Sequence, residues 1–241
     1  MTETTKYIFG EPDFTESVGH IYPVKLKDYD QFQEASSVLY YNKHHFGDEF
    51  QEFLLLDLIV LGLREQKFID DLQTIFTIVT QKEVEFKYDE TNQSYGFILD
   101  NTYLINGLNY DEIRQIIMKQ NIMFEQKVYK DKRVQAWAEK TMKARSKNGI
   151  KMDLEDIIST VSVITGKNYS DLREYTIYQL QSDFNRINKI KSYDTTVSFM
   201  CAGDTKSSLT HYAEKVDLFK NPYDDIFVSK DKLSNLNKAF S

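Results

Sequence analysis

Residues 83–99 read EVEFKYDETNQSYGFIL, and this stretch decides the fold class. Val84, Phe86 and Tyr88 alternate with Glu85, Lys87 and Asp89, the period-two pattern of a strand with one buried face. ETNQS at 90–94 supplies turn residues and YGFILD alternates again, so 83–99 is predicted to form a β-hairpin. A third short strand is expected at 102–105.

Away from the hairpin the period becomes helical. Upstream, Ile69, Leu72, Ile75, Phe76 and Val79 share one stripe of a helix over 68–79. Asp48 is expected to open another helix, in which Phe50, Phe53, Leu54, Leu58 and Leu61 leave little polar face, so that it is largely buried. Asp28 has the position of an N-cap for a helix carrying Phe32, Ala35, Val38 and Leu39. Residues 21–26, with Pro23, suit an edge strand. The first twenty residues are polar and carry Gly10, Pro12 and Gly19. They read as a flexible arm with at most one short strand around 7–9.

Downstream, Ile113, Ile116 and Ile117 mark a helix over 109–121 whose first turn holds Asp111 and Glu112, where the helix dipole favours acids. Helices follow over 130–146, over 153–165 with Gly166 closing it, and over 170–190. TTVSFMCA at 195–202 reads as a strand, and 208–216 as a last helix. The expected fold is therefore mainly α with a small antiparallel β-hairpin or sheet, an α+β class. Three regions are expected: the arm 1–20, an acidic α+β region 21–125 holding the hairpin 83–99, and a basic, mainly helical region 126–241.

Charge supports that division. The 241 residues carry 30 Lys+Arg against 37 Asp+Glu, a net charge of −7. Residues 1–120 hold 10 basic and 21 acidic side chains, whereas 121–241 hold 20 and 16. Complementary potentials of this kind steer copies or partners toward one another. Hydrophobic residues at 41% and aromatics at 14% provide for a sizeable core and exclude a disordered tail. The single cysteine, Cys201, excludes an internal disulfide and fits a reducing compartment, and its place in the predicted strand makes it a core thiol. The most apolar run, 53–63, is too short for a bilayer span and is interrupted by Asp57, so a soluble protein is expected.

Motifs that carry chemistry are not found in the sequence. Neither GxxxxGK[ST] nor GxGxxG occurs, so no phosphate cradle is encoded. His44-His45 near Asp48 and Glu49 lacks a third ligand, and Gly47 interrupts the helix that would align them. Adjacent carboxylates such as Asp70-Asp71 and Asp224-Asp225 point about 100 degrees apart on a helix rather than into one site. The reading is thus of a non-enzymatic protein with no cofactor and no metal. Two surfaces stand out. The run 127–151 holds nine basic residues against Asp131 and Glu139, and Lys132, Lys140, Lys143 and Lys147 can gather on one helix side, with Trp137 packed into the core on another. Tyr175, Tyr178 and Phe184 give the helix expected over 170–190 a wide aromatic face suited to core or to self-association.

Four segments carry a family resemblance: IYPVKLKDYDQFQ (21–33), INGLNYDEIRQIIMKQN (105–121), the run from DLEDIISTVSVITGKNYSDLREYTIYQLQSDFNRI (153–187), and HYAEKVDLFKNPYDD (211–225). In their order the chain resembles phage tail morphogenesis proteins of bacteria with AT-rich genomes, the tail assembly chaperones and the baseplate or tail-hub assembly proteins. The resemblance implies a non-enzymatic protein that binds other tail or baseplate proteins, in the chaperone case the tape-measure protein. It places the chain in the host cytoplasm during assembly, or in the virion tail, with no membrane partner. It carries no catalytic residues. The alternative is a nucleic-acid-associated phage or mobile-element protein that uses the basic helix 127–151 on phosphates.

Overall fold

A computed structural model describes residues 3–90, 94–125, 129, 131–148 and 152–220. The predicted hairpin forms. Strands β3 (Val84–Asp89), β4 (Ser94–Leu99) and β5 (Thr102–Asn106) make an antiparallel sheet in that order, and β1 (Asp13–Thr15) pairs with β2 (Gly19–Ile21) in a separate ribbon. In register, Val84 faces Leu99, Phe86 faces Phe97 and Tyr88 faces Tyr95, so the alternation read from sequence sets the inward face. Asp100 and Asn101, both at positive φ, close the two-residue turn from β4 to β5, a conformation that short polar side chains tolerate. The architecture is α+β, mainly helical, as expected from the sequence.

The larger core lies between this sheet and the helices α2 (Tyr29–Ala35), α4 (Gln66–Thr80) and α5 (Tyr110–Gln120). Phe76 of α4 meets the Phe97 ring edge-on at 4.9 Å, and Tyr110 closes the other side at 6.3 Å. Residues 48–63 do not form the single buried helix predicted. A 3-10 turn at Asp48–Phe50 leads to α3 (Leu55–Asp57) and then a π-helical turn at Leu58–Leu63. The run is apolar on every side, so no stripe selects one rotation of a regular helix; Leu55, Leu56, Leu58, Ile59 and Val60 are buried while Phe53 and Leu61 face solvent.

The expected flexible arm is also corrected. Residues 3–21 form α1 (Glu3–Phe9) and the ribbon β1–β2, and Tyr7 and Val18 are buried. Beside the burial of Val18 and Ile21 in the larger core, polar bonds hold them. Gln120, at the end of α5, donates to Asp13 Oδ2 and to the Ile21 carbonyl, both at 2.8 Å. Its neighbour Asn121 accepts from the Val24 amide at 3.2 Å while donating to Ile117 O. Earlier on α5, the buried Arg114 guanidinium donates to the Leu39 carbonyl at 2.8 Å, to Asp111 and to Glu125. Burial works against its charge, but the bonds to Glu125 and Asp111 outweigh that penalty and hold its pKa above the usual arginine value.

A second, smaller core gathers Val161 of α7 (Leu154–Thr165), Leu172 of α8 (Tyr169–Leu172), and Ile177, Leu180, Phe184 and Ile187 of α9 (Ile177–Cys201). Asp153 caps α7 and Gly166, as the sequence predicts, closes it in the left-handed region, while α6 (Lys132–Asn148) precedes it. The two cores meet where residues 25–27 run beside 173–176: Leu26 N donates to Tyr175 O at 2.8 Å and Lys27 N to Arg173 O at 3.1 Å. Glu174 pairs there with Lys25 and Lys27 at 2.7 and 2.9 Å.

Two further expectations fail on α9. The predicted strand 195–202 is the last part of this helix, so Cys201 is an exposed helical thiol and not a core one. No regular helix forms at 208–216. Thr, Val and Phe favour strands only where a pleated, half-buried surface exists to receive them, and no neighbouring strand is offered here.

Two outcomes follow from these contacts. Arg114→Met keeps the side-chain bulk but strands the buried Leu39 carbonyl, and urea unfolding should show a loss of about 2–3 kcal/mol; an unchanged midpoint would contradict the clamp. The bonds from Lys25 and Lys27 hold the Glu174 carboxyl down at about 2, against its ordinary 4.5. Because that pKa is depressed, the stabilisation is fully present above pH 4.5 and lost as pH falls through about 2. The thermal midpoints of the wild type and Glu174→Gln should therefore differ at neutral pH and low salt and converge across that acid window.

Candidate interaction surface

α6 carries the basic run. Among its described side chains only Ala138 is buried, and Lys140 and Lys143 are exposed. Lys132 and Lys147 lie on the same helix, with side chains outside the described residues, as does much of the rest of 127–151. Trp137 is 50% exposed, which corrects the expectation of a packed indole. A helix this rich in lysine has too few apolar residues to bury a full stripe, and the small Ala138 marks the line of contact instead.

The aromatic face behaves in the opposite way. Tyr178 at 2% and Phe184 at 9% exposure are core residues, and Tyr175 is half-buried beneath the Lys167 ammonium, 4.7 Å from its ring centre. This trio is therefore not a free assembly surface. Tyr178 instead forms one wall of a cleft with Tyr7, the rings 5.6 Å apart, and Phe219 enters it. The Phe219 ring lies 5.5 Å from Tyr178 and 5.6 Å from Tyr7, with the Lys119 ammonium 5.7 Å above it. Next to this ring runs a groove of about 470 Å³, walled by Ile116, Met118, Ile122 and Met123 and edged by Asp13 and Glu125.

The cleft was hidden from sequence reasoning because its members lie at residues 7, 119, 178 and 219, and only the fold brings them together. His44 and His45 lie in a 3-10 turn capped by Asn42, with His45 Nδ1 2.9 Å from Asn42 Oδ1. Among the described residues no group of three or more His, Cys, Asp or Glu is placed to hold a metal, and no helix is long and apolar enough to cross a membrane.

These features describe a mixed α+β protein with a lightly attached basic helix and an aromatic cleft closed by its own chain. Residues 143–217, spanning the end of α6, the smaller core and the segment after α9, match the family described as YomV second domain. Over its whole length the chain is similar to the SPbeta prophage-derived uncharacterized protein YomV of Bacillus subtilis (strain 168). The two are 24% identical over 245 residues, covering 100% of this chain and 99% of that protein. No solved structure matches. The similarity connects the chain with a bacteriophage.

Trp137 is the only tryptophan, so fluorescence excited selectively at tryptophan, beyond the absorption of the 16 tyrosines, reports on α6. In the folded protein its emission should be that of a partly hydrated indole and should be quenched readily by acrylamide. Trp137→Ala should cost less than about 1 kcal/mol, as surface changes do. A blue-shifted, quencher-resistant emission would mean that α6 is packed.

Proposed function

We propose that this chain is a non-enzymatic phage protein that acts in tail or baseplate assembly by protein contact, presenting α6 to an acidic surface of another tail component. The observation that carries the reading is α6 itself. It exposes Lys140, Lys143 and half of Trp137, and a helix kept amphipathic but uncovered has contact area to offer a partner. The full-length similarity to a prophage-derived protein supports the phage setting. The segments quoted for the tail morphogenesis resemblance support the narrower role.

Three of the titratable groups that depart from ordinary behaviour serve the scaffold, while Tyr178, raised by burial, walls the aromatic cleft. Arg114 holds three chain segments, Glu174 joins the two cores, and burial raises the Tyr110 hydroxyl inside the larger core. Each works in the scaffold rather than facing a cleft where a substrate would sit. An acidic protein partner is preferred to nucleic acid because the chain as a whole carries −7, which repels phosphate at long range.

The test is co-sedimentation of the purified chain with tail assembly intermediates. Lys140→Glu with Lys143→Glu should leave the circular dichroism unchanged and weaken co-sedimentation by about tenfold or more at low salt. Undiminished co-sedimentation would remove α6 from the mechanism. Steeply salt-dependent duplex DNA binding, lost in the same variant, would favour the nucleic-acid alternative instead.

A further inference from the structure

Residues 202–220 leave the end of α9, turn, and run back along the same helix. The order of contacts fixes the direction. His211 and Tyr212 meet Tyr193 at 5.9 and 5.3 Å; Glu214 pairs with Lys189 at 2.7 Å; Arg186 donates to the carbonyls of Tyr212 and Glu214; Phe219 reaches Tyr178. Between turns at 211–214 and 218–219 the strap follows the helix back. From Tyr193 to Tyr178 the helix rises about 22 Å, and the seven residues from Tyr212 to Phe219 span about 23 Å when extended.

The strap adds no residue to either core, and its backbone pairs with no strand. Its hold includes the Lys189–Glu214 ion pair, the Arg186 bonds, the aromatic contacts at its two ends and the Lys119 ammonium over Phe219. Before it lies an exposed polar connection, Gly203-Asp-Thr-Lys-Ser-Ser-Leu-Thr210, in which Gly203 sits at φ +101. Eight such residues can span about 26 Å, enough to reach past the chain's own groove. The stretch of α9 that the strap partly covers buries no residue after Ile187.

We propose that residues 211–220 are an exchangeable strap hinged on 203–210, and that the face of α9 from Tyr193 to the Tyr7–Tyr178 cleft accepts the same strap from a second copy of this chain. That face already holds this sequence through Tyr193, Lys189, Arg186 and Tyr178, so a second copy meets the same contacts with no new chemistry. The charge layout favours the encounter, since the acidic residues 1–120 of one copy attract the basic residues 121–241 of another. Binding in cis is favoured by effective concentration, and exchange takes over when the closed form is weakened or copies are crowded together.

A charge-swapped pair of full-length variants tests this. Lys189→Glu alone places two acids at the Lys189–Glu214 contact, and Glu214→Lys alone places two bases there, so each closed monomer is mismatched. When the two are mixed, both exchanged contacts are of opposite charge. Cys201, the sole cysteine and exposed, takes a donor dye on one variant and an acceptor on the other. At low ionic strength the mixture should show energy transfer and the mass of a heterodimer, whereas either variant alone should show several-fold less association. Adding Phe219→Ala to both chains should reduce transfer by about tenfold, because the strap then loses its aromatic anchor. A mixture with no energy transfer at low salt, or one in which transfer survives Phe219→Ala undiminished, would overturn the exchange.

Discussion

The buried polar end of α5 is the constraint on which the rest of the molecule depends. Arg114, Gln120 and Asn121 point from one helix to three stretches of chain distant in sequence: Leu39, the ribbon residues Asp13 and Ile21, and Val24. Buried carbonyls and amides such as Leu39 O, Ile21 O and Val24 N must be paired, and side chains of α5 and Asn121 after it pair them. With the ribbon fixed, α1 is fixed, and Gln179 of α9 reaches it through a bond to the Ile8 carbonyl at 2.9 Å. With Val24 fixed, residues 25–27 are presented to 173–176 and the second core is joined to the first. The aromatic cleft exists because both tethers hold at once: Tyr7 comes from one and Tyr178 from the other.

The sequence disclosed the elements whose burial is periodic. The hairpin 83–99 alternates, α4 carries its stripe from Ile69 to Val79, and α7 has both an acid at its start and a glycine at its end. It misled where burial is not periodic. The apolar run before Arg64 gives no single face, so 3-10, α and π turns follow one another. Residues 195–201 have strand propensity with nothing to pair with, and they continue the helix. The N-terminal residues looked like an arm because their anchors are hydrogen bonds from α5, which leave no hydrophobic pattern.

The candidate surfaces were legible to different degrees for the same reason. A run of lysines is visible in any sequence, and α6 bears it on a helix with little buried surface. Aromatic residues are ambiguous, because core and interface ask for the same side chains. Tyr178 and Phe184 went to the core, whereas Trp137 stayed half in water. The cleft around Phe219 needed the tertiary fold, and it turns part of the expected assembly face into a seat for the chain's own strap.

Native-state hydrogen exchange of the full-length chain tests the ordering of stability directly. If α5 is the clamp, its amides and those of α4 exchange only through global opening, and Tyr22 and Val24, just after the ribbon, share that protection; α6 and residues 204–220 exchange orders of magnitude faster. Slow exchange throughout α6, or fast exchange across α5 and the ribbon, would contradict the account.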